Sequence, residues 1–193
     1  MLCWRRSLWL IVEQIRVETP CSILVYQCHW GRHGTSFSNM QDEHTATLLD
    51  YYTRHQTSAQ WRGFLTALAD EFDAQLDTAQ LRVLMTRIGA RFAANYPAAN
   101  CTTLDDLSVF LNGVWSSLDW GFVRLTEQSA YLSIEHGCAP LAAFGERAAA
   151  WTPAFLEGAY QHWLGELGAG ALKLQEVDSA APYICEFRLV NTP

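Results

Sequence analysis

The chain has 193 residues, half of them hydrophobic, with a formal net charge of −7 and only 17% charged side chains. That length suits one domain with a sizeable core. A charged fraction below the ~25% of ordinary soluble domains points to extensive burial, including buried contacts between subunits. The acidic balance argues against nucleic acid as a partner, because phosphate binding needs clustered Lys and Arg. No apolar run approaches the ~20 residues needed to span a bilayer.

Residues 1–39 differ from the rest: they hold four Arg against two Glu, while residues 40–193 hold nine basic against eighteen acidic side chains. Arg5 and Arg6 precede an apolar run, Leu8 to Val12, that Glu13 ends too early for a secretory signal. We expect an N-terminal extension of residues 1–39, poorly ordered or loosely attached, with Met40 as the natural start of a single domain over 40–193. Six cysteines show neither CxxC nor zinc-like spacing. They read as reduced thiols of a cytosolic protein, with no metal and no cofactor implied.

From Glu43 to His55 the pattern predicts a short, weakly amphipathic helix. Thr57 and Ser58 can cap the next, whose stripe is Trp61, Phe64, Leu65, Leu68, Phe72 and Leu76. Asp77 with Gln80 forms a capping-box pattern opening a third helix with Leu81, Leu84, Met85, Ile88 and Phe92 on one face. Thr103 with Asp106 opens a fourth, carrying Leu107, Phe110, Leu111, Val114, Trp115 and Leu118. Short connections make the four antiparallel neighbours.

The period then changes to alternation. Strands are expected over 119–126 and 130–135 around a tight Gln128-Ser129 turn, making a hairpin. An Ala-rich, partly helical connection leads to Thr152-Pro153, where a hydroxyl and a proline mark a helix start. Phe155, Ala159, Trp163 and Leu167 form one row of that helix, and Leu156, Tyr160 and Leu164 the next. Gly165, Gly168 and Gly170 break it, and two further strands span 171–177 and 183–190. The order ααααββαββ predicts an α+β fold with helices packed on a four-stranded, mainly antiparallel sheet.

Catalytic signatures are sparse. The glycines at 165, 168 and 170 follow a helix and precede a strand, so they offer no helix N-terminus to a phosphate. Neither GxSxG nor any other nucleophile motif occurs. Glu127, Glu135 and Glu157 are the carboxylates available to a glycan-processing enzyme, and Glu157 with His162 an acid–base pair. A small-ligand sensor is a further reading, with a cavity lined by Trp115, Phe122 and Trp163. Tyr51, Tyr52, Arg54, His55, Gln60 and Trp61 combine aromatic faces with hydrogen-bonding groups, the mixture that suits a pyranose ring. Their alternative use is to join the core.

Leu156-Glu157-Gly158-x-Tyr160-x-x-Trp163 resembles the LEGxYxxW helix of the bacterial cellulose synthase operon protein D family. Asp119-Trp120-Gly121 stands where that family has Gly-Trp-Gly, Trp151 matches the Trp before LEG, and 64–75 resembles the family's first long helix. The resemblance covers roughly residues 60–190. It implies a non-catalytic accessory protein of cellulose export: an octamer, built as a tetramer of dimers, that guides nascent β-1,4-glucan. It also implies that N-terminal segments line the passages, so that Tyr51 to Trp61 touch glucan, whereas Trp120, Gly121, Trp151 and the LEG helix are structural. Other cellulose synthase subunits are the implied partners. The cytoplasmic side of the inner membrane is the expected location, the periplasm the alternative.

Overall fold

The computed structural model describes residues 45–49, 51–53, 55–98, 101–179, 181 and 183–191. The expected 1–39 extension lies outside them. Residues 45–49 and 51–53 are helical, and three regular helices follow: α1 (Ala59–Gln75), α2 (Thr78–Ala93) and α3 (Leu104–Ser117). Both predicted capping boxes form. In α2 the Gln80 amide donates to Asp77 Oδ1 (2.8 Å) while the Asp77 amide donates to Gln80 Oε1 (3.0 Å). In α3, Thr103 and Asp106 exchange the same pair of bonds at 3.0 Å each. Those bonds, with two more from Thr102, satisfy orphan donors and hold the Asp106 carboxyl below its usual value. Ser58 does occupy the N-cap of α1, but its hydroxyl caps nothing.

Strands β1 (Phe122–Glu127), β2 (Leu132–Gly137), β3 (Lys173–Val177) and β4 (Ile184–Val190) form one sheet in the order β1-β2-β4-β3, every pair antiparallel. The fold is α+β, as the element order predicts. The first hairpin differs in detail: its loop runs from Gln128 to Tyr131, closed by the Gln128 amide on the Tyr131 carbonyl (2.9 Å), and Glu127 pairs with Leu132. Two 3-10 turns, Pro140–Phe144 and Glu146–Ala150, fill the Ala-rich connection.

Helix α4 (Ala154–Leu164) lies between α2 and the inner sheet face, and eight of its eleven residues are buried. Its start departs from expectation. Thr152 does not cap; its hydroxyl donates back to the Ala148 carbonyl (2.9 Å), finishing the preceding 3-10 turn, and Pro153 takes the N-cap position. Its end departs too. Gly165 keeps helical angles, the chain widens into a π-turn over Gly165–Ala169, and Gly168 at φ 90° makes the break. Among the described residues no helix is long and apolar enough to cross a membrane.

Candidate functional site

The motif residues converge on α4, and each has a physical reason to be there. Gly158 faces α2 so closely that a Cβ would stand 2.0 Å from the Thr86 carbonyl oxygen. On α2, Gly89 answers it, since a Cβ there would meet the Phe155 carbonyl at 1.9 Å. Two glycines therefore let the two backbones touch, which sequence spacing alone does not reveal. Beside this contact Glu157 accepts from Arg82 at 2.8 Å, and Arg82 also reaches Glu176 on β3 at 2.8 Å, tying helix, helix and sheet. Burial raises the Glu157 carboxyl against the opposing pull of Arg82.

Trp151 is buried and donates from Nε1 to Asp73 of α1 (2.8 Å); Trp163 donates to the Tyr96 carbonyl after α2 (2.7 Å). Trp115, Trp120, Phe92, Phe155 and Trp163 form a continuous aromatic cluster, with Phe92 stacked on Trp115 at 5.4 Å and Trp120 tilted against Phe155 at 5.0 Å. Gly121 adopts φ 85°, and a Cβ there would lie 1.9 Å from the Gly137 carbonyl; this accounts for the Trp-Gly pair at the start of β1.

At the centre sits a residue that sequence reasoning placed in no site. His136 on β2 is fully buried, with Nε2 2.7 Å from the Trp120 carbonyl and Nδ1 2.5 Å from the Tyr160 hydroxyl. Desolvation pushes the imidazole pKa down to about 4, so the ring is neutral at pH 7. A carbonyl only accepts, so the single proton sits on Nε2, and Tyr160 donates to Nδ1. Burial likewise holds the Tyr160 phenol well above its ordinary value. This chain of bonds joins the segment entering β1 to β2 and α4, with His136 and Tyr160 buried. The only signal in the sequence was the inward phase of residue 136 on an alternating strand.

The other chemical expectations come apart in three dimensions. Glu135 pairs across the hairpin with Arg124, not Glu127, and strand parity puts Glu127 and Glu135 on opposite faces of the sheet. Glu157 is engaged with Arg82 on a separate helix, so the three carboxylates do not form a glycosidase pair. His162 lies 3.4 Å from Glu166 rather than facing Glu157. The expected sensor cavity fails as well: Trp115 and Trp163 pack edge to face at 5.5 Å with no exposed surface, while Phe122 lies on the outer sheet face over Gly137. Among the described residues no cluster of His, Cys, Asp or Glu could hold a metal ion.

The six candidate sugar contacts fare differently. Arg54 lies outside the described residues. The other five, Tyr51, Tyr52, His55, Gln60 and Trp61, are exposed rather than joined to the core. Tyr51 is 62% exposed and stacks on His55 at 4.0 Å, with His55 Nδ1 2.8 Å from the Tyr51 carbonyl. Trp61 is 55% exposed and meets Phe64 edge to face at 5.8 Å. Phe64, assigned to the core stripe by period, belongs to this surface too, as does Leu48. Several aromatic side chains therefore face solvent near the N-terminal end of the described residues.

The molecule therefore combines a buried aromatic cluster with several exposed aromatic side chains near its N-terminal end. The sequence model of one family, the D subunit of cellulose synthase, matches residues 47–187, and the chain belongs to that family. It is similar to cellulose synthase operon protein D of Komagataeibacter xylinus, with 29% identity over 104 residues, covering 52% of this chain and 67% of the relative. The protein of the same name from Komagataeibacter sucrofermentans matches to the same extent. Membership implies a role in cellulose synthesis and association with the synthase complex.

Proposed function

We propose that this chain is a non-catalytic accessory subunit that assembles into a homo-octameric ring, a tetramer of dimers, and guides extruded β-1,4-glucan toward crystallisation. It works beside the other synthase subunits at the cytoplasmic face of the inner membrane, and bond formation and bilayer transit belong to those partners. The observation that carries this reading is the set of exposed aromatics Tyr51, Tyr52, His55, Trp61 and Phe64, beside a body whose Trp115, Phe155, Tyr160 and Trp163 are buried. Aromatic faces stack on the C–H faces of glucosyl rings without needing charge, which suits an uncharged polymer. The low charged fraction fits a subunit with large contacts to its neighbours.

Native mass spectrometry tests the assembly: an eightfold mass is expected, and a monomer at micromolar concentration overturns the ring. Gene deletion tests the role. Cellulose yield or crystallinity should fall while synthase turnover in isolated membranes persists; loss of turnover points instead to a catalytic or directly regulatory part.

A further inference from the structure

An open antiparallel sheet ends in two edge strands, here β1 and β3, whose outward N–H and C=O groups are a template for a strand from another chain. Each edge meets one carboxamide side chain from the adjacent helix. On β1, Asn112 Nδ2 of α3 donates to the Val123 carbonyl (2.9 Å), while the Val123 amide donates to Asn112 Oδ1 (2.9 Å). On β3, Gln161 Nε2 of α4 donates to the Leu172 carbonyl (3.0 Å), and the Leu174 amide donates to Gln161 Oε1 (2.9 Å). A carboxamide carries the same donor and acceptor as a peptide group, so each fills its edge as one residue of an added strand would.

The two carboxamides sit at opposite ends of the sheet. Pairing aligns Val123 with His136 and Cys185, and Leu174 with Leu189, Leu132 and Glu127. Backbone groups alternate in direction along an antiparallel strand, so the next outward ones belong to Leu125 and Glu127 on β1 and to Glu176 on β3. Side chains alternate as well. Glu127 and Glu176 therefore share the inner face with the buried Val123 and Leu174, and Arg82 holds Glu176 there. An inward-pointing carboxylate on an edge strand opposes pairing, because an added strand would desolvate it. Each edge thus combines a carboxamide on one half with an inward glutamate on the other, and both strands are short, six and five residues.

We propose that Asn112 and Gln161 are edge guards that deny both sheet edges to a second copy of this chain. Copies then meet through surfaces other than their strand edges, and the assembly stays discrete. Without the guards, strand addition has no stopping point, since every added copy exposes a fresh edge. Edge blocking is independent of the glucan role and of the number of subunits.

Asn112→Leu and Gln161→Met keep the bulk of the side chain and delete both bonds at their edge. Each full-length variant, held below its melting temperature, should form material heavier than the wild-type assembly at least about tenfold faster than wild type does, by light scattering and thioflavin binding. Gly158→Ala weakens the α2–α4 contact and leaves both edges capped, so it is the control for plain destabilisation, compared at the same interval below melting. Asn112→Asp and Gln161→Glu keep an acceptor for the Val123 and Leu174 amides and add charge, so they should hold the wild-type mass. Apolar variants that keep the wild-type mass, or that aggregate no faster than Gly158→Ala, overturn the guards and leave the carboxamides as fasteners of helix to strand. Equal aggregation of the charged and the apolar variants overturns them too.

Discussion

Helices α1 and α4 are the two most aromatic-striped helices of the sequence, and the molecule uses them in opposite ways. In α4, eight of eleven residues are buried, and Phe155, Tyr160 and Trp163 all lie inside. In α1, with seventeen residues, only Ala69 is fully buried; Phe72 and Leu76 pack at the C-terminal end while Trp61 and Phe64 face solvent. The same helical period produced both stripes. What separates them is whether another element reaches the stripe: α4 has α2 on one side and the sheet on the other, whereas the N-terminal half of α1 has neither. An aromatic stripe therefore specifies a surface that will be covered, and the fold decides whether by the chain itself or by a partner.

Substitutions on the two helices sharpen that contrast. Trp163→Ala should be the most damaging, removing a fully buried indole and its bond to the Tyr96 carbonyl at a cost of ~3–5 kcal/mol. Urea unfolding should record that loss; a change under ~1 kcal/mol means that the cluster is far looser than described. Lowering the pH should come next. Well above pH 6.5, His136 is neutral whether the chain is folded or not. As the pH falls from 6.5 toward about 4, the unfolded chain gains a proton that the folded one refuses. Stability should therefore decline across that window by ~3 kcal/mol from this group alone. His136→Phe should flatten that part of the pH profile even if it lowers stability throughout; an equally steep profile places the dependence elsewhere.

Gly158→Ala should follow, because its Cβ runs into backbone and not a yielding side chain, and overpacking of that kind costs ~1–3 kcal/mol. A melting temperature equal to wild type shows that α2 and α4 can separate freely. The smallest effect on folding belongs to Trp61→Ala, expected within ~0.5 kcal/mol because the residue already faces water. Its consequence should appear in octamer mass or in glucan affinity. Unfolding of the monomer by this change erases the distinction between the two helices.

Much of the fold was legible because it is local. Asp77 with Gln80 and Thr103 with Asp106 show the bonds that cap their helices within four residues of sequence, and both form. The alternation of Tyr183, Cys185, Phe187 and Leu189 likewise gives the inner face of β4 directly. What failed depended on residues far away in sequence. Thr152 had a proline after it and looked like a cap, yet the better acceptor was the Ala148 carbonyl presented by a 3-10 turn that periodicity does not reveal. Gly89 reads as a mild flaw in a helix until Gly158 arrives against it. His136 needed both the Trp120 carbonyl and the Tyr160 hydroxyl to become a neutral bridge. At the candidate surface, composition marked Tyr51 to Trp61, but whether those rings faced inward or outward was a matter of which elements reached them.

The way α1 is fastened has a thermodynamic consequence. Asp73 is held by the Trp151 indole and Thr66 donates to the Ala143 carbonyl at 3.2 Å, so the anchoring side chains lie in the middle and far end of the helix. The end bearing Trp61 and Phe64 projects from those anchors already in helical form. A partner that settles on it meets backbone whose ordering cost, ~1–2 kcal/mol per residue, was met during folding of the single chain. More of the contact energy then appears as affinity, as in any preorganised binder. Loosening the anchors, for instance by Asp73→Ala, would return that cost to the moment of association and weaken assembly without altering a single contacting atom.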